Sequence, residues 1–272
     1  MKKCLMLMNC FSMEYRRHLL QSNIFAQEYE LEFVTTYTKK PDENFIKQVK
    51  NSDLIITQNV KNIDEYTPGF IRKLMKKGAV LIVTEFWRFN GYWPYTSPTH
   101  RKSNSFWYPI DEFGLDLDFN SYKNTHVSPL TITDCFTESL IKLEEIDKNS
   151  DISIFDFFIE NHKKIRFFSD DWHPTPFLFS YVTNEIFKII GIDFKSSPMR
   201  LNGVNSNRYR IIIDSVKEEL GLQYEDERVL FFGQDISVSA YYDFARDHQS
   251  DILAQNLDMK EVKALFLHST SM

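Results

Sequence analysis

The first ninety residues alternate between short apolar runs and longer amphipathic segments. Four apolar runs bounded by polar residues predict buried β-strands, within residues 3–8, 31–37, 53–58 and 79–84. Between the runs, apolar residues recur at helical spacing. Strands that alternate with helices predict a parallel, doubly wound sheet with right-handed crossovers, so the pattern indicates an α/β fold of flavodoxin-like type.

Turn and capping residues predict where the helices begin and end. Ser12 suits the N-cap of a helix over residues 13–23. Thr67-Pro68 starts another helix, which ends before Gly78. Further along, Thr175-Pro176 starts a helix that Gly191 ends. His173 is therefore expected on a loop just before that helix.

From residue 86 to about 168 the alternation fades and aromatic residues become frequent. We interpret residues 87–168 as an inserted lobe or lid on a single α/β domain that spans residues 1–272. The sequence contains no internal repeat, low-complexity tract or Pro/Gly/Ser linker that would divide it further. After about residue 191 the pattern of apolar and polar residues does not predict a succession of helices and strands. The sequence assigns no role to this region.

Composition narrows the class of protein. The chain has 272 residues, of which 43% are hydrophobic, so it can bury one large core or a core with a smaller lobe. With a net charge of −6, the chain lacks the positive electrostatic potential that nucleic-acid-binding proteins use, so nucleic acid is not an expected partner. Three cysteines are an odd number, which argues against a secreted disulfide framework and favours the cytoplasm. No apolar run approaches the roughly 20 residues that span a bilayer.

The candidate chemistry begins at Cys10, which directly follows the first apolar run and precedes a predicted helix. In open α/β sheets ligands bind beyond the carboxyl ends of the strands, and a helix N-terminus favours a thiolate. Downstream, the string D-x-x-H-P supplies Asp170 and His173. A cysteine nucleophile needs a base, and the base needs a carboxylate that fixes its tautomer. A lone cysteine of this kind is more often a small buried apolar residue, but the combination favours acyl transfer.

An acyl-transfer site also needs hydrogen-bond donors for the oxyanion and surfaces for the substrates. The candidate donors are the backbone N–H groups of Cys10 and Phe11 and the side-chain amides of Asn9, Gln58 and Asn59. The amides can equally serve only to satisfy loop backbone. Trp87 and Tyr92 follow a strand end, and their faces suit a sugar ring or adenine, although packing inside the lobe is the commoner use of such rings.

Other chemistries lack their usual sequence pattern. The chain has no C-x-x-C or H-x-x-x-H spacing, so no metal site is expected. It also has no G-x-G-x-x-G motif and no P-loop, which argues against nicotinamide chemistry and ATP hydrolysis.

Several short motifs resemble the WcbI-type acetyltransferases of polysaccharide biosynthesis. They are Asn9-Cys10 followed by Leu19-Leu20, the strand 53–58, the segment 89–94 and His173-Pro174-Thr175, and they reach from the N-terminus to about residue 191. The resemblance implies a three-layer α/β fold with an SGNH-hydrolase-like site, coenzyme A and O-acetylation of capsular sugars. The D-x-x-H-P string likewise resembles the block that carries the catalytic Asp and His of SGNH hydrolases. The family commonly has Gly-Asn-Cys-Gln where this chain has Met8 and Phe11 around Asn9-Cys10, which alters the oxyanion hole or the donor site.

The leading hypothesis is a coenzyme A-dependent O-acyltransferase that moves an acyl group, expected to be acetyl, from acetyl-CoA to a sugar hydroxyl in capsular or surface polysaccharide biosynthesis. Transfer through a Cys10 thioester and direct attack by a hydroxyl that His173 activates are both open. An SGNH-type carbohydrate esterase and a non-catalytic glycan-binding or scaffolding protein are the alternatives. Coenzyme A carries phosphates, for which Arg88, Arg101 and Lys102 are candidate ligands. The sequence does not fix the acceptor sugar or the oligomeric state.

Overall fold

A computed structural model of the chain describes residues 1–36, 40–95, 114–199, 209–224, 228–255 and 257–269. The described residues form two compact units. The first draws on Met1–Trp87, Lys142–Glu160 and Pro176–Met199, and the second on Arg88–Ile141, Asn161–Thr175 and Arg200–Met272. The lobe expected at residues 87–168 stays a prediction.

The first unit is built on a sheet of four parallel strands. These are β1 (Lys2–Met8), β2 (Tyr29–Thr35), β3 (Leu54–Gln58) and β4 (Val80–Thr84). Their order in the sheet is β2-β1-β3-β4, with every neighbouring pair parallel. The predicted parallel α/β sheet is confirmed. The order also brings the carboxyl ends of β1, β3 and β4 side by side at one edge.

Eleven α-helices, one 3-10 helix and four further strands make up the remaining regular structure of the described residues. The helices are α1 (Ser12–Leu19), α2 (Asn23–Glu28), α3 (Glu43–Asn51), α4 (Pro68–Leu74), α5 (Phe119–Lys123), α6 (Pro129–Asp147), α7 (Phe155–Asn161), α8 (Pro176–Ile190), α9 (Asp214–Leu220), α10 (Val238–Gln255) and α11 (Met259–Ser269). The strands are β5 (Phe168–Asp170), β6 (His173–Pro174), β7 (Arg228–Phe231) and β8 (Gln234–Ser237). A short 3-10 helix lies at Asp64–Tyr66. None of the described helices combines the length and apolar character needed to cross a bilayer.

Helices cover both faces of the four-stranded sheet. Successive side chains of a strand point to opposite faces, and because the strand residues are apolar on both faces, each face needs a covering layer. On one face, Leu5, Leu7 and Ile55 pack in a buried cluster with residues of α3 and α4. On the other face α1 packs against α8, and the Tyr15 and Phe179 rings meet edge to face with centroids 5.1 Å apart. The unit is thus a three-layer α/β arrangement.

The outer edge of β4 is covered by the segment that precedes α7. The Asp151 N–H donates to the Val83 carbonyl at 2.8 Å, and the Val83 N–H donates to Asp151 Oδ2 at 2.8 Å. The Ser150 hydroxyl donates to the same carbonyl. Residues 150 and 151 therefore take up the hydrogen-bonding groups of Val83 that face away from β3.

The helix that follows Cys10 differs from the expected one. Ser12 is the first residue of α1 and Phe11 occupies the N-cap, so the prediction of Ser12 as N-cap of a helix over 13–23 is wrong. The chain turns earlier because the Asn9 carbonyl accepts from Ser12 N at 3.2 Å. The helix then stops at Leu19, and Ser22 caps the separate helix α2.

Two other helix starts follow the prediction closely. Thr67 caps α4 through its side-chain oxygen, with Pro68 in the first turn. The helix α8 begins at Pro176 and ends at Ile190, and Gly191 follows with a φ of 73°, the left-handed conformation that glycine adopts most readily. His173 lies not on a loop but in the two-residue strand β6, because it pairs with Asp170 of β5 in an antiparallel hairpin.

The imidazole of His18 is fully buried in the first unit, between α1 and the segment after α8. Its Nδ1 lies 3.0 Å from the Ser196 hydroxyl, and its Nε2 has no hydrogen-bond partner among the residues that the structure describes. Burial, together with a smaller effect of the nearby Arg17 cation, lowers the pKa of His18 to about 4. The folded protein therefore holds this histidine neutral.

We expect acid to destabilise the protein through His18. An unfolded chain binds a proton at this histidine near pH 6.5 whereas the folded chain resists it, so stability is lost as the pH falls from about 6.5 towards 4. The loss should reach on the order of 3 kcal/mol. Urea unfolding of wild type and His18→Gln across this pH range measures it. The variant should show a shallower pH dependence than the wild type, with His126→Gln, at an exposed histidine, as control. Equal pH dependence in wild type and His18→Gln would contradict this cause.

Candidate active site

Cys10 lies at the carboxyl edge of the sheet, between the end of β1 and the start of α1, and its side chain is partly buried. The Asn9 side chain shapes this turn, because its Oδ1 accepts from the Phe11 N–H at 3.0 Å. The thiol is therefore at the end of a strand and next to the N-terminus of a helix.

The other two cysteines have different surroundings. Cys4 is fully buried within β1, and burial raises the pKa of its thiol far above the usual range. Cys135, on α6, has its sulfur 3.7 Å from the Asn90 carbonyl oxygen. Cys10 alone of the three lies at the carboxyl edge of the parallel sheet.

Gln58, the last residue of β3, bridges to the residue before the thiol. Its Oε1 accepts from the Asn9 N–H at 2.9 Å, and the side chain is 3% exposed. Its Nε2 is buried and has no hydrogen-bond partner among the described residues. A backbone N–H can only donate, so this contact fixes which end of the amide carries the oxygen.

Asn59 is tied to a carboxylate on the neighbouring strand. Its Nδ2 donates to Glu85 Oε1 at 2.8 Å, and its own N–H donates to the Thr84 carbonyl. Glu85 is 6% exposed, and burial raises the pKa of its carboxyl while the Asn59 hydrogen bond opposes that rise. Sequence reasoning did not single out Glu85. The available signal was its place directly after an apolar run, the same place relative to β4 that Asn59 has relative to β3.

Phe11 has both its N–H and its ring engaged. The Phe11 N–H donates to Asn9 Oδ1. The ring packs against the rings of Phe86 and Phe179, with centroids 4.8 and 5.4 Å away. In this structure the Phe11 N–H is therefore occupied rather than offered to an oxyanion.

Trp87 and Tyr92, the candidate stacking surfaces, are both fully buried. In the first unit, Trp87 donates its indole N–H to Asp147 Oδ1 at 3.0 Å, and the same carboxylate accepts from the backbone at the start of α7. In the second unit, Tyr92 packs edge to face on Phe89 at 4.9 Å. The described conformation uses both rings as packing, and neither face is open to a sugar ring or adenine.

Asp170 and His173 form a close pair in the second unit. His173 Nδ1 lies 2.7 Å from Asp170 Oδ1 and 2.8 Å from Oδ2, and the histidine is 5% exposed. Asp170 Oδ1 also accepts from the N–H groups of Trp172 and His173, each at 2.8 Å. A carboxylate in this position accepts a hydrogen bond from Nδ1–H, which fixes that tautomer and leaves Nε2 as the basic nitrogen of the ring.

A buried arginine holds the hairpin that carries this pair. Arg166 is 8% exposed, and its guanidinium donates to the carbonyls of Phe168 and Ser169 at 2.9 and 3.0 Å and to that of Arg210. Ser169 in turn donates its hydroxyl to the His173 carbonyl at 2.9 Å. Sequence reasoning missed Arg166, whose partners are carbonyls that no motif reveals. These contacts fix the β5–β6 backbone and with it the orientation of the imidazole.

Of the three candidate phosphate ligands, Arg88 lies within the described residues, and Arg101 and Lys102 lie outside them. Arg88 is exposed, and its guanidinium carbon lies 3.8 Å from the centre of the Trp172 ring. The Phe89 N–H donates to the Asp171 carbonyl at 3.2 Å. Arg88 is thus held against the turn between Asp170 and His173.

The candidate residues belong to different units. Cys10, Gln58 and Glu85 lie in the first, and Asp170 and His173 lie in the second. Among the described residues no group of three or more His, Cys, Asp or Glu side chains is placed to hold a metal ion.

Comparison with known proteins identifies a family. The family model for the polysaccharide biosynthesis enzyme WcbI matches residues 3–195. No curated protein matches the chain. One similar solved structure is WcbI itself, described as a novel polysaccharide biosynthesis enzyme, in native form without a disulfide bond between coenzyme A and one of its cysteines. It shares 16% identity with a TM-score of 0.66, over 88% of this chain and 87% of that chain, which shows a common fold.

Proposed function

This chain belongs to the WcbI family of polysaccharide biosynthesis enzymes, and on that premise we propose that it is a coenzyme A-dependent O-acyltransferase. The donor is acetyl-CoA, and the acceptor is a sugar hydroxyl of a capsular or surface polysaccharide. The observation that carries the proposal is the Asp170–His173 pair, whose 2.7 Å contact prepares a histidine base. The similar structure's association with coenzyme A supports the choice of donor.

Cys10 is the proposed nucleophile and His173 the base. His173 Nε2 takes the proton of the Cys10 thiol, and the sulfur forms a bond to the acetyl carbonyl carbon. The bond from that carbon to the sulfur of coenzyme A then breaks, and the leaving thiolate receives the proton from His173. In the second half, the sugar hydroxyl gives its proton to His173 as its oxygen bonds to the acetyl carbon. Cys10 leaves as a thiolate and regains the proton.

Arg88 is the proposed ligand for a phosphate of coenzyme A. Its guanidinium is exposed and stacked on Trp172, so little side-chain entropy is lost when it binds. A planar guanidinium donates two parallel hydrogen bonds to a phosphate, which a lysine cannot do.

Calorimetric titration of coenzyme A and acetyl-CoA tests this proposal. We expect micromolar binding to the wild type, about −8 kcal/mol. Arg88→Ala should weaken binding by about tenfold, because it removes charge-assisted hydrogen bonds. His173→Ala should bind nearly as well as the wild type, because His173 acts on the transferred proton rather than on the phosphates.

Arg72→Ala is the matched control, since it removes an exposed arginine of α4. Failure of the wild type to bind either compound would refute the transferase and favour an esterase or a non-catalytic protein, which an ester substrate would separate. Equal losses in Arg88→Ala and Arg72→Ala would mean that Arg88 makes no specific contact.

A further inference from the structure

We propose that the side-chain NH₂ group of Gln58 is the donor that stabilises the oxyanion during acyl transfer at Cys10. This inference rests on the proposed function and adds a residue that touches the reacting atoms. An acyl-transfer site needs a prepositioned N–H donor where negative charge develops on the carbonyl oxygen.

Four other candidate donors lie at this rim; the Cys10 N–H can act on the same oxyanion beside Gln58, and the other three are already engaged or open to water. The Phe11 N–H already donates to Asn9 Oδ1, and Asn59 Nδ2 already donates to Glu85. The Asn9 amide is only partly buried, so water can satisfy its nitrogen. Gln58 Nε2, in contrast, is buried and has no hydrogen-bond partner within the described residues.

The orientation of the Gln58 side-chain amide is fixed by the hydrogen bond at its oxygen, Oε1. The Asn9 N–H donates to Oε1 at 2.9 Å, which fixes the amide and directs its nitrogen away from that bond. Asn9 directly precedes Cys10, so the amide is anchored one residue from the thiol. A buried donor without a partner costs on the order of 1–3 kcal/mol of stability. A ligand oxygen that reaches this nitrogen completes its hydrogen bond, and a carbonyl oxygen that becomes anionic is a stronger acceptor than a neutral one.

The step assigned to Gln58 is the first bond change of the transfer. The Cys10 thiolate adds to the acyl carbonyl carbon, and the π electrons of the C=O bond move onto oxygen. The Nε2–H group donates to that oxygen while the tetrahedral intermediate exists. The C=O bond then re-forms, the leaving group departs with the electrons of its bond to carbon, and Gln58 keeps both of its protons throughout.

The test compares two substitutions with different structural consequences. Gln58→Met removes the donor and the acceptor for the Asn9 N–H. Gln58→Glu, assayed at about pH 9.5, keeps an acceptor for the Asn9 N–H; at that pH even a carboxyl whose pKa is raised by burial is ionised and supplies no donor. Acylation of Cys10 is followed by intact-protein mass spectrometry in single turnovers, with acetyl-CoA and separately with p-nitrophenyl acetate. Gln48→Met, the same change at a glutamine of α3, is the control.

We expect both Gln58 variants to acylate about 10²–10³-fold more slowly than the wild type with either reagent. Coenzyme A affinity should be unchanged in both variants. If Gln58→Glu, which keeps the acceptor for the Asn9 N–H, acylates at the wild-type rate, Gln58 only holds Asn9 and the inference is overturned.

The two reagents separate failure of this inference from failure of the proposed function. A wild type acylated by p-nitrophenyl acetate but not by acetyl-CoA would refute the coenzyme A donor, while the rates with the ester would still decide the role of Gln58. A wild type acylated by neither reagent would show that Cys10 is not a nucleophile, and both proposals would fall.

Discussion

Cys10→Ala is expected to eliminate the acyl-enzyme and to slow acetyl transfer by about 10³-fold or more. The thiol is the atom that accepts the acetyl group, and alanine offers no substitute. Mass spectrometry after mixing with acetyl-CoA detects the thioester, and release of the coenzyme A thiol gives the rate. Because Cys10 is only partly buried, its replacement by alanine should cost little stability, and the melting temperature checks this directly.

Cys135→Ala is the matched control, because it removes a second partly buried thiol, one that belongs to α6 and not to the turn after β1. It should leave the thioester and the rate within about threefold of the wild type. If Cys10→Ala kept a transfer rate within tenfold of the wild type, the hydroxyl would attack acetyl-CoA directly and Cys10 would be a pocket residue.

Asp170→Asn is expected to lower kcat by about 10²–10⁴-fold with little change in coenzyme A affinity. The substitution keeps an oxygen for the Trp172 and His173 N–H groups, so the turn is preserved. The new NH₂ group, however, donates towards Nδ1 and forces the ring proton onto Nε2. The ring then cannot take a proton from the nucleophile. Single-turnover acetylation of Cys10 across pH measures the loss.

Asp171→Asn provides the control in the same turn, where the Asp171 backbone carbonyl, unchanged by the substitution, accepts from Phe89. It should leave the rate within about threefold of the wild type. A wild-type rate in Asp170→Asn would remove the pair from the mechanism. Equal losses in both variants would point to disruption of the hairpin, which the melting temperatures would show.

The parts of the molecule that the sequence predicts are those set by local physics. The apolar runs predict the four parallel strands, and Thr67-Pro68 predicts the start of α4. The Asp170–His173 contact spans three residues, so D-x-x-H spacing alone is enough to suggest it. Where the local signal competes with a tertiary contact it misleads, as at Ser12, where the Asn9 turn starts the helix one residue early.

Contacts between distant residues were beyond the sequence. Gln58 meets Asn9 across 49 positions, which follows only once β1 and β3 are known to be neighbours. From the sequence alone Glu85 would be expected to be a solvent-exposed acid. The structure shows that it is buried and that it accepts a hydrogen bond from Asn59. The burial of Trp87 likewise depends on Asp147, which lies on α6, 60 positions away. Among the described residues after 191 are three helices and the β7–β8 hairpin, whose pairing no local pattern specified.

Residues 150 and 151 protect one edge of the sheet against aggregation. A terminal strand with open N–H and C=O groups is a template on which another chain can add a strand, which is one route to aggregation. On β4 the outward groups of Val83 are occupied by Asp151 and Ser150. At the opposite margin, β2 carries Glu30, whose negative charge opposes stacking of identical strands. Both edge strands, β2 and β4, therefore oppose the addition of strands from other chains to the sheet.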